Sequence, residues 1–119
     1  MASVVLIEND PPLVRLLGWF LVDAGHAVVA IDNVMAATDH VRTDLPGVVI
    51  FNSGLPASAK LPFISEWRQI HPRLGVVDVS RRTASIEHAP YTGADAYLQM
   101  PFDADSLLAA IDDVLERRR

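Results

Sequence analysis

Five short apolar segments recur along the chain and predict the strands of a sheet. They are rich in valine, isoleucine and alanine and are bounded by polar residues, glycine or proline, as buried strands usually are. The predicted strands cover residues 3–7, 27–31, 47–51, 74–79 and 94–98. The third is the most apolar of them, which is typical of a strand that is covered on both faces.

Segments with helix-start and helix-stop residues separate these strands. The predicted helices cover residues 11–24, 33–42, 62–71, 83–89 and 104–117. Asp10 and Asp103 are expected to cap the first and last helices, and Pro11 suits a first helical position. Gly25 and Pro90 are expected to end the first and fourth helices.

The regular alternation of strands and helices predicts an α/β fold. Strand–helix–strand units give a single five-stranded parallel sheet with helices on both faces, and right-handed crossovers favour a doubly wound sheet. In such sheets the functional site lies at the carboxyl ends of the strands. The polar or unusual residues that follow the predicted strands are Glu8, Asn9, Asp10, Asn52, Ser80 and Met100.

Composition narrows the class of protein further. The 119 residues suit one domain over 1–119, and half of them are hydrophobic. The chain has no cysteine, which excludes disulfides and thiolate chemistry and fits a cytoplasmic location. A net charge of −5 argues against direct nucleic-acid binding by this domain. The sequence offers neither an apolar stretch long enough for a membrane span nor a secretion signal.

Four features in this order resemble the receiver domain of two-component response regulators. They are VVLIENDP at 4–11, LPGVVIFNSGLP at 45–56, Ser80 after the fourth strand, and GADAYLQMPF at 93–102. The resemblance covers essentially the whole chain. It implies a flavodoxin-like (βα)5 fold with strand order 2-1-3-4-5, as in CheY-like proteins.

The same resemblance points to a site that has changed. In that family two acidic residues after the first strand and an acceptor aspartate after the third hold Mg²⁺. Here Glu8 retains the first acid, whereas Asn9 and Asn52 stand at the other two positions. An amide is not a nucleophile that could replace the carboxylate. We therefore expect the usual phosphorylation chemistry to be absent.

Changes elsewhere in the predicted site agree with this expectation. Met100 stands where the family carries the lysine that pairs with the phosphoryl group, so a positive charge is missing. Ser80 matches the hydroxyl position, and Tyr97 matches the aromatic residue that takes part in the family's switch. Arg81 and Arg82 follow Ser80, and either the guanidinium of one replaces the lost cation near the first strand or both are solvated.

No metal site and no cofactor are predicted from these residues. Mg²⁺ prefers carboxylate oxygens, and only Glu8 and Asp10 remain as candidate ligands. Asp10 is accounted for as a helix cap and Glu8 as a partly solvated carboxylate. The four histidines have no metal-ligand spacing and are expected on the surface or in loops.

The first predicted helix is apolar on nearly all sides. Its inward positions are expected to be Leu13, Leu16, Leu17, Phe20, Leu21 and Ala24. The other side also carries Val14, Gly18, Trp19 and Val22, where a surface helix normally has polar residues. We hypothesise that Val14, Trp19 and Val22 form a surface for a partner or a second copy. The alternative is that Trp19 folds back over the edge of the sheet.

The sequence thus favours a receiver-like domain that acts as a phosphorylation-independent protein-interaction module rather than an enzyme. The resemblance implies a histidine kinase, a phosphotransfer protein, an effector or a second copy as its partner. Four alternatives stay open at this point. The first is that the chain is the N-terminal receiver of a larger regulator, and the second is that it binds a small ligand in the vacated site. The third is that Glu8 or Asp10 accepts phosphoryl groups, and the fourth is that the chain serves only as a dimerisation unit.

Overall fold

The computed structural model describes residues 2–52, 55–80 and 92–118. Five strands and four helices lie within these ranges. In chain order they are β1 (Ser3–Ile7), α1 (Pro11–Asp23), β2 (Ala27–Ile31), α2 (Val34–Asp44), β3 (Val48–Phe51), α3 (Ala57–Ile70), β4 (Gly75–Ser80), β5 (Ala96–Gln99) and α4 (Ala104–Arg117). The predicted helix over 83–89 lies outside the described residues, as do Arg81, Arg82 and Pro90.

The strands form one parallel sheet in the order β2-β1-β3-β4-β5, which confirms the predicted doubly wound α/β fold. Alternate side chains of each strand point to opposite faces, so the sheet has two cores. Val4 and Leu6 of β1 pack on one face with residues of α1 and α4. Val5 and Ile7 pack on the other face with residues of α2 and α3, including Trp67.

The structure corrects several details of the helix predictions. α3 begins at Ala57 rather than at Pro62, because Lys60 and Ile64 are both buried and packing extends the helix towards its N-terminus. Asp10 occupies the N-cap position of α1 but its side chain makes no capping hydrogen bond there. Asp103 does cap the last helix, accepting a hydrogen bond from the backbone N–H of Ser106 at 2.7 Å.

Two predicted inward positions of α1 are also wrong. Leu16 is 51% exposed and Ala24 is exposed as well. The buried stripe of α1 consists of Leu17 and Leu21, with Leu13 and Phe20 packed beside it. A narrower stripe suffices because α1 covers a sheet face that it shares with α4.

The half-buried Asp95, just before β5, joins α3, β4 and the residue after α4. One oxygen of Asp95 accepts hydrogen bonds from Nη2 of Arg68 in α3 and from the backbone N–H of Val76 in β4, both at 2.9 Å. The other oxygen accepts from Nε and Nη2 of Arg118, just after α4, at 2.9 and 2.7 Å. Burial alone would raise the pKa of Asp95, but the hydrogen bonds from Arg118 and Arg68 outweigh it and lower the pKa.

We expect Asp95→Asn to destabilise the fold in a pH-dependent way. A carboxyl whose pKa is lowered by folding stabilises the native state above its unfolded pKa, and that contribution is lost as the pH falls through the folded pKa. The variant should therefore lose on the order of 2 kcal/mol at neutral pH, in the range for hydrogen bonds to charged groups. The difference from the unchanged protein should shrink below about pH 4. Urea unfolding at several pH values measures both.

The matched control is Asp113→Asn, which removes an exposed pair with Arg117 in α4. Exposed ion pairs contribute about 0–1 kcal/mol, so this variant should differ little from the unchanged protein at any pH. An equal loss for Asp95→Asn at acidic and neutral pH would contradict the assigned role of the charge.

Candidate functional site

Two polar side chains meet where β1 and β3 end. Glu8 follows β1 and Asn52 follows β3, and the register pairs Ile7 with Phe51 immediately before them. Both side chains are 3% exposed. The side-chain amide of Asn52 donates a hydrogen bond to Oε2 of Glu8. The predicted neighbours at the carboxyl end of the sheet are therefore in direct contact.

Glu8 also receives two backbone donors. Its Oε1 accepts from the N–H groups of Asn9 at 3.0 Å and of Asp10 at 3.2 Å. These groups directly precede α1, where the helix dipole favours a negative charge. Both oxygens of a buried carboxylate thus have donors, which offset the cost of taking it out of water. Hydrogen bonds from Asn9, Asp10 and Asn52 thus stabilise the negative charge of Glu8.

This donor set does not fit the Mg²⁺ that the receiver fold implies. Such a site needs carboxylate oxygens turned towards the metal, but N–H donors point at both oxygens of Glu8. The side chains of Asn9 and Asp10 are exposed. Nowhere in the described parts of the chain do three or more His, Cys, Asp or Glu side chains gather as metal ligands would.

Met100, which directly follows β5, contacts the same site. Its sulfur lies 3.8 Å from Nδ2 of Asn52, and its backbone N–H donates to the carbonyl of Ser80 at 2.7 Å. Ser80 ends β4 and is half-buried. The structure therefore brings Glu8, Asn52, Met100 and the end of β4 together. The side chains of Asn9 and Asp10 are exposed and are not part of this strand-end site.

The sequence analysis missed a second buried polar group nearby. Lys60, the only lysine of the chain, is 4% exposed and forms an ion pair with Asp78 of β4, which is 6% exposed. Its ammonium lies 3.4 Å from the carbonyl oxygen of Val79 and 5.3 Å from the ring centroid of Phe51. Burial raises the pKa of Asp78, and the hydrogen bond and charge of Lys60 oppose that rise only in part.

One sequence signal could have revealed this pair. Asp78 interrupts the apolar segment 74–79, and a carboxylate inside a buried strand needs a partner. Its register partners are Phe51 and Tyr97, neither of which neutralises a charge. The partner comes from α3, whose early start places Lys60 above the strand.

The surface of α1 differs from the hypothesised patch in one residue. Trp19 is 64% exposed and Val22 is 61% exposed, whereas Val14 is half-buried. Leu16 is exposed instead, so we define the α1 apolar surface as Leu16, Trp19 and Val22. Trp19 does not fold back over the sheet; its ring contacts Phe20 edge-on, with centroids 5.7 Å apart.

Comparisons with known proteins agree with this geometry. The sequence profile of the response regulator receiver domain matches residues 4–112. The chain belongs to this receiver family. Receiver domains are parts of two-component response regulators, and in general they are signalling modules rather than enzymes. Among the described helices, none is both long enough and apolar enough to cross a membrane.

Two curated relatives resemble this receiver over nearly its full length. The transcriptional regulatory protein KdpE of Staphylococcus aureus is 33% identical over 118 residues, which cover 98% of this chain and 50% of the relative. The virulence transcriptional regulatory protein PhoP of Salmonella typhimurium is 28% identical over 119 residues, which cover 98% of this chain and 53% of the relative. The receiver thus spans about half the length of these relatives.

A solved structure supports the fold independently. The crystal structure of a putative response regulator from Chloroflexus aurantiacus superposes with a TM-score of 0.84 at 19% identity. The superposition covers 98% of each chain. At this identity the similarity concerns the fold alone.

We expect Asn52→Asp to destabilise the receiver at neutral pH. The new carboxylate would lie against Glu8, and two buried carboxylates in contact raise the pKa of at least one of them. A raised pKa means that the penalty grows as the pH rises above the unfolded pKa of about 4 and disappears on acidification. The free energy of unfolding should fall by about 1–3 kcal/mol at pH 7 and recover towards pH 4.

Asn9→Asp is the matched control, because it adds the same charge at an exposed side chain beside Glu8. Its stability should stay within about 0.5 kcal/mol of the unchanged protein. Thermal and urea unfolding of the two variants measure the difference in their free energies of unfolding. If both variants lost stability equally, or neither did, the contact between Asn52 and Glu8 would not determine the charge that the site tolerates.

Proposed function

We propose that residues 1–119 form a receiver-like domain that works without phosphorylation, as a protein–protein interaction module of cytoplasmic two-component signalling. The hydrogen bond from Asn52 to Glu8 carries this proposal. It joins the residue at the acceptor position to the one acid retained in the site. The domain has no catalytic role in this proposal.

Three groups support the loss of phosphoryl transfer. Asn52 offers an amide where a nucleophilic carboxylate is needed. Glu8 is engaged by N–H donors on both oxygens, so a metal would have to displace them. Met100 supplies a thioether where a cation would stabilise the negative charge of a phosphoryl group. Restoring any one of these groups would leave the other two unsuited to the reaction.

The α1 apolar surface is the proposed contact area of the module. Leu16, Trp19 and Val22 present large apolar side chains to solvent on one helix. Tryptophan is enriched among the residues that contribute most to protein–protein binding. The partner would be a helical domain of a histidine kinase or phosphotransfer protein, an effector, or a second copy of the receiver.

A second candidate function rests on the length of the relatives. KdpE and PhoP are called transcriptional regulatory proteins, and each is about twice as long as this chain. The receiver would then be the N-terminal part of a larger regulator. Its net charge of −5 assigns DNA contacts to another part of such a protein. A reading frame that continues past Arg119 into a DNA-binding domain would support this candidate.

An amide NMR titration with Mg²⁺ and then with beryllofluoride tests the loss of phosphorylation. Beryllofluoride stands in for the phosphoryl group on an acceptor aspartate. We expect no saturable shifts at Glu8, Asn52, Ser80 or Tyr97, because the site lacks both acceptor and metal ligands. Saturable shifts at these residues would contradict the proposal.

Two controls make a negative result meaningful. A phosphorylatable receiver in the same buffer should respond at its own acceptor. The triple variant Asn9→Asp, Asn52→Asp, Met100→Lys should gain Mg²⁺-dependent shifts, because it restores the acids and the cation together. Intact mass after incubation with acetyl phosphate gives a second readout, and a stable adduct on the unchanged protein would also contradict the proposal.

Trp19→Glu tests the α1 apolar surface. We expect weaker self-association, or weaker binding to histidine kinase dimerisation domains and phosphotransfer proteins, because a charge replaces an apolar contact. Stability should change by less than about 0.5 kcal/mol, since the side chain is exposed. Sedimentation velocity and surface plasmon resonance measure the two kinds of binding.

Met35→Glu is the matched control, because Met35 is 68% exposed on α2 and lies outside the α1 apolar surface. It should leave both kinds of binding unchanged. If Trp19→Glu also left self-association and partner binding unchanged, α1 would not be the contact area.

A further inference from the structure

A chain of polar groups leads from the buried Lys60–Asp78 pair to the surface at β5. The register places Phe51, Asp78 and Tyr97 side by side on three neighbouring strands. Side chains in such register share one face of the sheet. On this face α3 contributes Lys60, which neutralises Asp78. Thr92 is buried, and its hydroxyl lies 2.9 Å from that of Tyr97. Thr92 also lies close enough to Asp78 for its hydroxyl to lower the pKa of that carboxyl.

The direction of each hydrogen bond in this chain follows from Asp78. An ionised carboxylate only accepts, so Lys60 donates to it, and a Thr92 hydroxyl that bonds to it must donate as well. That contact uses the single proton of the Thr92 hydroxyl. With that proton directed at Asp78, the Thr92 oxygen is the acceptor for the hydroxyl of Tyr97, 2.9 Å away, as it is for the backbone N–H of Ala94 at 3.2 Å. One charge pair thus orients every hydroxyl out to Tyr97.

A buried ion pair needs an explanation beyond stability. Replacing such a pair by well-packed apolar residues is often neutral or stabilising, because both charges lose their hydration. The apolar alternative cannot orient hydroxyl groups, whereas a connected polar network in a low dielectric can. The orientation of Thr92 and Tyr97 is therefore what Lys60 and Asp78 supply and an apolar pair would not.

We propose that the Lys60–Asp78 pair is a positioning device that fixes the side chain of Tyr97 through Thr92. Tyr97 is half-buried, so its ring belongs partly to the surface at β5. Lys60 stands in the first turns of α3. A displacement of these turns withdraws the ammonium from Asp78, and Thr92 and Tyr97 then lose the group that orients them. The inference does not rest on the proposed loss of phosphorylation.

NMR of the double variant Lys60→Met, Asp78→Leu tests this inference. The variant keeps the site apolar and filled, so neither charge is left buried alone. Tyr91→Phe in all samples removes the only other tyrosine, so every labelled tyrosine signal comes from Tyr97. We expect the ring resonances of Tyr97 to shift and its nuclear Overhauser contact with the Thr92 methyl group to be lost. An unchanged contact and unchanged shifts would overturn the proposal.

Two control variants separate the ion pair from other influences on Tyr97. Asp95→Asn removes a different, half-buried carboxylate beside β5, and Asn52→Ala removes the contact with Glu8 at the strand ends. Both should keep the contact between Tyr97 and Thr92. If Asn52→Ala displaced Tyr97 as the double variant does, the strand-end site rather than the ion pair would position Tyr97, and the proposal would be wrong.

Thr92→Val provides the test if the double variant does not fold. It conserves shape and keeps Lys60 paired with Asp78, but it removes the hydroxyl that joins Asp78 to Tyr97. The ring resonances of Tyr97 should then shift as predicted for the double variant. Unchanged resonances would show that packing alone holds Tyr97 and would overturn the proposal.

Discussion

Helices on both faces of one parallel sheet leave no room for an unpaired polar group between them. The central strands β1, β3 and β4 are buried almost completely, so their side chains must be apolar or fully partnered. Polar chemistry is therefore confined to the ends of the strands, where Glu8 and Asn52 meet. Asp78 is the exception inside a central strand, and it is buried only together with Lys60.

The carboxylates of Glu8 and Asp78 are stabilised by different kinds of donor. At the strand ends the N–H groups of Asn9, Asp10 and Asn52 donate to the carboxylate of Glu8. Inside the sheet a carboxylate is held by an ammonium and a hydroxyl. The only lysine of this receiver thus serves the interior between α3 and β4 and not the strand-end site. Asn52 donates to Glu8 and Lys60 pairs with Asp78, so separate variants can test the two groups.

The sequence predicted the features that depend on periodicity and chain order. All five strands and their order were predicted correctly, with ends that shift by one or two residues. The contact of Glu8 with Asn52 was also foreseeable, because parallel neighbours end at the same edge of the sheet. These predictions need only the apolar pattern and the direction of the strands.

Features that depend on how a helix is rotated and where it begins could not be predicted in this way. The predicted start of the third helix at residue 62 was wrong, because tertiary packing extends α3 back to Ala57. Leu16 looked like a core position by spacing, yet the sheet needs only Leu17 and Leu21 from that helix. The partner of Asp78 was hidden for the same reason, because the sequence does not show which side of α3 faces β4.

The position of Lys60 has a consequence for chemical labelling. It carries the only side-chain amine in the sequence, and that amine is buried against Asp78 and the ring of Phe51. Reagents that acylate lysine can reach this amine only when α3 separates from β4. The rate of acylation at Lys60 therefore reports how often this part of the receiver opens, without any engineered probe.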